Sequence, residues 1–174
     1  IFQNFKFRKA LSIAIARENI NNKVYYGEAT PRQATLMPGS KYIKPEYGEV
    51  YTEYNPEAAK KLLDEIGMKD INNDGFRERP DGESFELLIQ HWDPRATKIG
   101  ELLRENWQDV GIKTVLKRND ISLVLQQAGA YKTQVVLNYL TPNDDLKWPV
   151  NTGTIAPVSG WPSTFVWQAW VDWY

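Results

Sequence analysis

Apolar positions near the start of the chain recur at helical spacing. Phe7, Ala10, Leu11, Ala14 and Ile15 form one stripe, and Lys6, Arg8 and Lys9 fall mostly off it. A second short helix is expected behind the first, with Ile20 and Val24 four apart and Gly27 as its stop. Thr30-Pro31 and Met37-Pro38-Gly39 then break regular structure into a turn-rich loop. The Tyr-rich stretch 41–54 shows little periodicity and reads as a loop draped over the surface. Asn55-Pro56-Glu57 starts a further helix by rule, with an N-cap, a proline at the first helical position and an acid in the first turn. Its stripe is Ala59, Leu62, Leu63 and Ile66, and Gly67 ends it.

The second half changes period. Phe85, Leu87 and Ile89 alternate with Glu86, Leu88 and Gln90, so 84–91 reads as a strand. Asp93-Pro94 opens a helix with the stripe Ala96, Ile99, Leu103, Trp107 and Val110, closed by Gly111. A strand at 112–117, a short helix at 121–128 and a third strand at 133–138 follow. The run Val135-Val136-Leu137 suits a strand covered on both faces. Strand, helix, strand, helix, strand at these spacings is the signature of an α/β domain with a largely parallel sheet flanked by helices.

Composition narrows the function classes. The 174 residues suit one domain with a full core. Lys plus Arg number 21 against 22 Asp plus Glu, so the chain lacks the basic balance that nucleic acid demands. No apolar run is long enough to span a membrane. There are no cysteines, hence no disulfide or thiol chemistry. The chain opens on Ile1 and closes on Tyr174 inside an aromatic run, the pattern of a piece of a longer protein.

Candidate chemistry is sparse outside one region. Asp70, Asn72, Asp74 and Gly75 match the first half of a calcium loop, but Asp81 stands where the bidentate Glu belongs and Pro80 precedes it. An Asx-rich turn followed by a Pro80-Asp81-Gly82 hairpin into the strand is the plainer reading, so no metal is assigned. His91 ends a strand without a nucleophile or orienting partner, so no catalytic residue is assigned, and no cofactor motif appears. The region that stands out is 139–174, which holds five of the seven tryptophans. Trp167, Trp170 and Tyr174 read first as a packing stripe. The loop before them follows a strand's carboxyl end, where open α/β sheets bind ligands. Its Asn and Asp groups suit ammonium or hydroxyl partners, and its Tyr and Trp rings suit side chains or sugars.

Arg8-Lys9-Ala10-Leu11-Ser12-Ile13-Ala14-Ile15, with Arg17-Glu18 behind it, and Tyr54-Asn55-Pro56-Glu57-Ala58-Ala59 through Gly67 together resemble the bacterial extracellular solute-binding proteins of family 5. Ala16 stands where that family usually has Asp, and its usual Trp-x-x-Asp-Tyr-x-Asp-Pro wording is absent after the third strand. The resemblance implies a periplasmic-binding-protein type II lobe, with residues 1–174 as the second ligand-binding lobe of a two-lobed receptor. It implies an oligopeptide or oligosaccharide ligand, a missing N-terminal lobe and an ABC permease as partners, and an extracytoplasmic location. The Met37-to-Tyr42 wording and the aromatic tail look like a branch that includes oligosaccharide binders. Carried onto this chain, the resemblance and the loop chemistry give the ligand-binding candidates Tyr139, Asn143, Asp144, Asp145, Trp148 and Trp161. A protein-interaction or ligand-sensing domain using the aromatic tail, and a glycoside hydrolase, remain the alternatives.

Overall fold

The computed structural model describes residues 1–33, 35, 40, 41 and 44–138. Among these described residues, six α-helices, one 3-10 turn and three strands follow one another. Helix α1 (Phe5–Ile13) begins at Asn4, whose side chain accepts from the Lys6 and Phe7 amides at 2.9 and 3.4 Å. It stops two residues before the apolar stripe does, and no glycine ends it. Donors from elsewhere in the fold take its last carbonyls instead: the Trp107 indole on Leu11, the Arg17 guanidinium on Ser12 and the Asn55 amide on Ile13. Helix α2 (Arg17–Tyr25) ends with Tyr26 and Gly27 both in the left-handed region.

The N-cap of α2 is Ala16, which offers no side-chain acceptor. Ala16→Asp is therefore expected to stabilise the fold by about 0.5–1 kcal/mol, read as a raised urea midpoint with unchanged slope.

The stretch 41–54 is more structured than a draped loop. A single-turn helix, α3 (Glu46–Glu49), forms within it and buries Gly48. A hub of hydrogen bonds explains why it sits down. Ser12 Oγ donates to Tyr51 O at 2.8 Å and accepts from Arg17 and Gln33, while Gln33 also donates to Val50 O at 2.7 Å. Helix α4 (Pro56–Glu65) is capped by Asn55 as its sequence requires, and packs along α1.

The Asx-rich turn is self-supporting. Asp70 accepts from the Asp74 and Gly75 amides at 3.1 and 2.9 Å, and Asp74 from the Phe76 amide at 2.8 Å. Arg77 ties it to the body by donating to Val110 O and Met68 O. The Pro80–Gly82 segment turns the chain, but no strand precedes it, so there is no hairpin.

Strand β1 (Leu87–His91) pairs in parallel with β2 (Thr114–Arg118) on one side and with β3 (Val135–Val136) on the other, giving the order β2-β1-β3. The α/β class and parallel sheet expected from the sequence are both present. Leu87 and Ile89 enter the core with Phe7, Leu63, Leu102, Leu103 and Trp107, which places α1, α4 and α5 (Thr97–Gln108) on one face. Gln90 points the other way and donates to Gln127 of α6 (Ile121–Gly129) at 2.6 Å. β3 is shorter than the 133–138 expected, and its valines are half-buried rather than covered on both faces. The Gln134 side chain substitutes for the ladder by accepting from Leu88 N at 2.6 Å. Among the described residues no helix is long and apolar enough to cross a membrane.

Candidate functional site

The strand order sets β1 in the middle of the sheet, with β2 on one side and β3 on the other. From β1 the chain crosses over α5 to β2 on one side. It then returns over α6 to β3 on the other side of β1. The adjoining ends of β1 and β3 lie at the carboxyl edge of the sheet, the place where open α/β sheets take ligands.

The residues that leave those strand ends are Trp92, Asp93 and Arg95 after β1, Asn119 after β2, and Leu137 and Asn138 after β3. Backbone bonds lock the three exits together. Asn119 N donates to His91 O at 2.9 Å and Leu137 N to Gln90 O at 2.9 Å. Arg118 Nε reaches Trp92 O at 3.4 Å. His91 is 1% exposed and its Nδ1 lies 3.0 Å from Asp93 O. It is thus buried at the end of β1 rather than facing solvent.

Asp93 carries two tasks. Its carboxylate accepts from the Arg95 amide at 2.9 Å, capping the 3-10 turn Pro94–Ala96 that leads into α5. It also grips the Arg95 guanidinium, with Nε 3.0 Å from each oxygen. The Arg95 side-chain bond, helped by the Arg95 amide and the Arg118 charge, lowers the Asp93 pKa from 3.8 to about 2 against the opposing effect of burial. The folded pKa lies below the unfolded one, so this contribution to stability is fully present above about pH 4. It is lost as pH falls through about 2. A carbon-detected NMR titration should find Asp93 ionised at lower pH than an ordinary carboxylate, and Arg95→Met should raise its pKa part of the way back, because the amide bond at position 95 remains.

The rim thus presents an indole, a carboxylate held ionised, and the guanidinium groups of Arg95 and Arg118. Such a set suits hydrogen bonding and stacking to a polar solute. Among the described residues no group of three or more His, Cys, Asp or Glu side chains converges for a metal ion.

The candidates Tyr139, Asn143, Asp144, Asp145, Trp148 and Trp161 lie outside the described residues. The strand that feeds them is described, and its carboxyl end adjoins that of β1. Trp92, Asp93, Arg95 and Arg118 were not among the sequence candidates. Asp93-Pro94 reads first as a helix cap, and only the strand order reveals that the cap stands beside β3. A Trp-Asp-Pro-Arg run directly after a strand was the available signal.

The family described as bacterial extracellular solute-binding proteins, family 5 Middle, matches residues 1–172. The oligopeptide-binding protein AppA of Bacillus subtilis is 29% identical over 129 residues, which is 73% of this chain and 24% of AppA. The heme-binding protein A of Haemophilus influenzae is 30% identical over 113 residues, 65% of this chain and 19% of that protein. Among solved structures, an oligopeptide-binding protein OppA superimposes with a TM-score of 0.84 at 31% identity, over 98% of this chain and 27% of its own. A mannohexaose-bound periplasmic oligopeptide-binding protein of Thermotoga maritima reaches 0.74 at 31% identity, over 86% of this chain and 29% of its own. The chain therefore spans about a quarter or less of the length of the curated relatives.

Proposed function

The chain belongs to the bacterial extracellular solute-binding proteins of family 5, and from that premise we propose that it is the second ligand-binding lobe of a two-lobed ABC-importer receptor. Its solute is an oligopeptide or an oligosaccharide, and it works outside the cytoplasm, in the periplasm or as a lipid-anchored surface protein. The remaining partners are a first lobe from the same receptor and a membrane permease. The supporting observation is that the carboxyl ends of β1 and β3 lie side by side, bordered by Trp92, Asp93 and Arg95. Tyr139, Asn143, Asp144, Asp145 and Trp148 follow β3 in sequence, and Trp161 follows in the same aromatic segment.

The mechanism follows from geometry and solvent. One lobe supplies one wall, so polar groups on the rim stay hydrated and a solute gains little by replacing water. Closure of a second wall excludes that water, strengthens each polar contact and makes the closed form distinguishable to a permease. The relatives' names divide between peptide and sugar ligands: AppA and OppA are named for oligopeptides, and the Thermotoga maritima structure holds mannohexaose. The rim suits either class. Indole faces stack on sugar rings or apolar side chains, while Asp93 and Arg95 meet hydroxyls or peptide termini.

Calorimetric titration of the 174-residue chain with tri- to pentapeptides and with cello-oligosaccharides is expected to show dissociation constants of about 1 mM or weaker. Micromolar binding to either class would mean that this lobe holds a complete site. Backbone NMR shifts at Trp92, Asp93 and Arg95 on adding solute to saturation identify the wall, and their absence with every solute would refute the rim.

A further inference from the structure

A rim within reach of both solute classes need not serve them equally, and the charge on this one is already compensated. Residues 92–95, 118–120 and 137–138 hold two carboxylates, Asp93 and Asp120, and two guanidinium groups, Arg95 and Arg118. The edge is therefore neutral overall. What each of these groups already touches decides what is left for a solute.

The Asp93 carboxylate is saturated. Its Oδ1 accepts from the Arg95 amide at 2.9 Å and from Arg95 Nε at 3.0 Å, and its Oδ2 accepts from Nε at 3.0 Å and from Nη2. A carboxylate offers about four lone-pair positions, and these contacts use them. The side chain is 18% exposed. A peptide's ammonium could reach it only by displacing the Arg95 fork, and forked Arg–carboxylate contacts are among the stronger charge-assisted bonds. The lowered Asp93 pKa has the same origin. Asp120 is engaged at α6, accepting from Ser122 N at 2.8 Å, and Arg118 Nε faces Trp92 O at 3.4 Å.

Uncharged groups are the ones left open. Asn119 N donates to His91 O and Leu137 N to Gln90 O, both at 2.9 Å, which sets Asn119 and Asn138 on either side of the β1 exit. Asn119 is half-buried and Asn138 is exposed. Among the described residues, neither side-chain amide has a hydrogen-bond partner. An amide side chain carries donors and an acceptor side by side without charge. That pairing matches neighbouring hydroxyls on one solute and needs no ion.

We propose that the rim selects an uncharged, hydroxyl-bearing stretch of solute, as in an oligosaccharide, over the charged amino terminus of a peptide, and that Arg95 sets this preference by keeping Asp93 occupied. Arg95 acts through Asp93 and is a positioning residue. The proposal rests on the reading of this edge as a solute wall.

The test is amide shift mapping on the nitrogen-15-labelled chain, titrated separately with cellotetraose, trialanine and N-acetyl-trialanine. Cellotetraose is expected to move the side-chain amide signals of Asn119 and Asn138. Trialanine and its acetylated form are expected to bind the parent equally weakly. Arg95→Met bares the carboxylate, so it should bind trialanine about threefold more tightly than the parent does, and acetylation should abolish that gain. If Arg95→Met disturbs the spectrum away from the rim, Arg95→Lys, which keeps the charge but loses the fork, is read instead by the same gain or its absence. A gain that is missing, a gain that survives acetylation, or Asn119 and Asn138 amides unmoved by cellotetraose would each overturn the proposal. Trialanine held by the parent through its amino group, with shifts at Trp92, Asp93 and Arg95, would overturn the preference and leave the solute wall standing. No shift at that edge with any of the three solutes, in either protein, would overturn both.

Discussion

Trp107→Ala is expected to cost about 3–5 kcal/mol of folding stability, the largest loss from any one substitution considered. Trp107 is 5% exposed in the core and reaches from α5 to α1. Its ring fills space bordered by the first helix, and its indole nitrogen donates to Leu11 O at 3.0 Å. Truncation therefore opens a cavity and also strands a carbonyl in the last turn of α1, where the helix has no donor of its own. Against a total stability of about 5–15 kcal/mol for a domain, such a loss leaves a substantial unfolded fraction. Trp107→Phe separates the two effects, because it keeps most of the volume and removes the donor. Its expected cost is about 1–3 kcal/mol. Urea unfolding followed by circular dichroism measures both. If the two variants were equally stable, the packing account would fail.

Gly100→Val is expected to cost about 1–3 kcal/mol by overpacking and, unlike the tryptophan substitutions, to reach the rim. A Cβ at Gly100 would stand 2.5 Å from Leu116 Cδ1 and 3.2 Å from Leu137 Cδ1. Leu116 lies in β2, and Leu137 is the first residue out of β3. The helix thus approaches the sheet closely enough that the position tolerates only hydrogen without rearrangement. Gly100→Ala has milder consequences. The displaced atoms are flexible side-chain ends, and alanine recovers about 1 kcal/mol of helix propensity. The valine methyls have no such escape, so α5 moves off the sheet or Leu137 changes rotamer. Amide shifts at Leu137 and Asn138 should move in the valine variant and stay nearly fixed in the alanine variant. A valine variant as stable as the parent, with unmoved shifts there, would show that α5 sits farther from the sheet.

Much of this architecture was legible in the residues. Asn55-Pro56-Glu57 announced α4, and Asn55 does accept from Ala58 N at 2.9 Å. The short helix expected at 121–128 forms as α6, where Asp120 accepts from Ser122 N at 2.8 Å. The change from a period near four to a period of two at Phe85 marked where helices gave way to a parallel sheet, and the likeness to solute-binding receptors in the opening helix agrees with the family match. These signals were readable because each is local: a cap, a proline or a stripe acts over one or two turns of chain.

Other features depend on partners far away in sequence. At the end of helix α1, Trp107 and Asn55 come from distant stretches to donate to the Leu11 and Ile13 carbonyls, beside the nearer Arg17 on Ser12. Gln90 and His91 are 1% exposed although they are polar, because Gln127 of α6 and the Asp93 carbonyl meet them. The order β2-β1-β3 turned Asp93 from a helix cap into part of a rim. Apolar periodicity and capping chemistry determined which elements form. Only the packed sheet decided which of their ends lie together, since strand order is set by contacts that close over tens of residues and leave no mark on any single stretch.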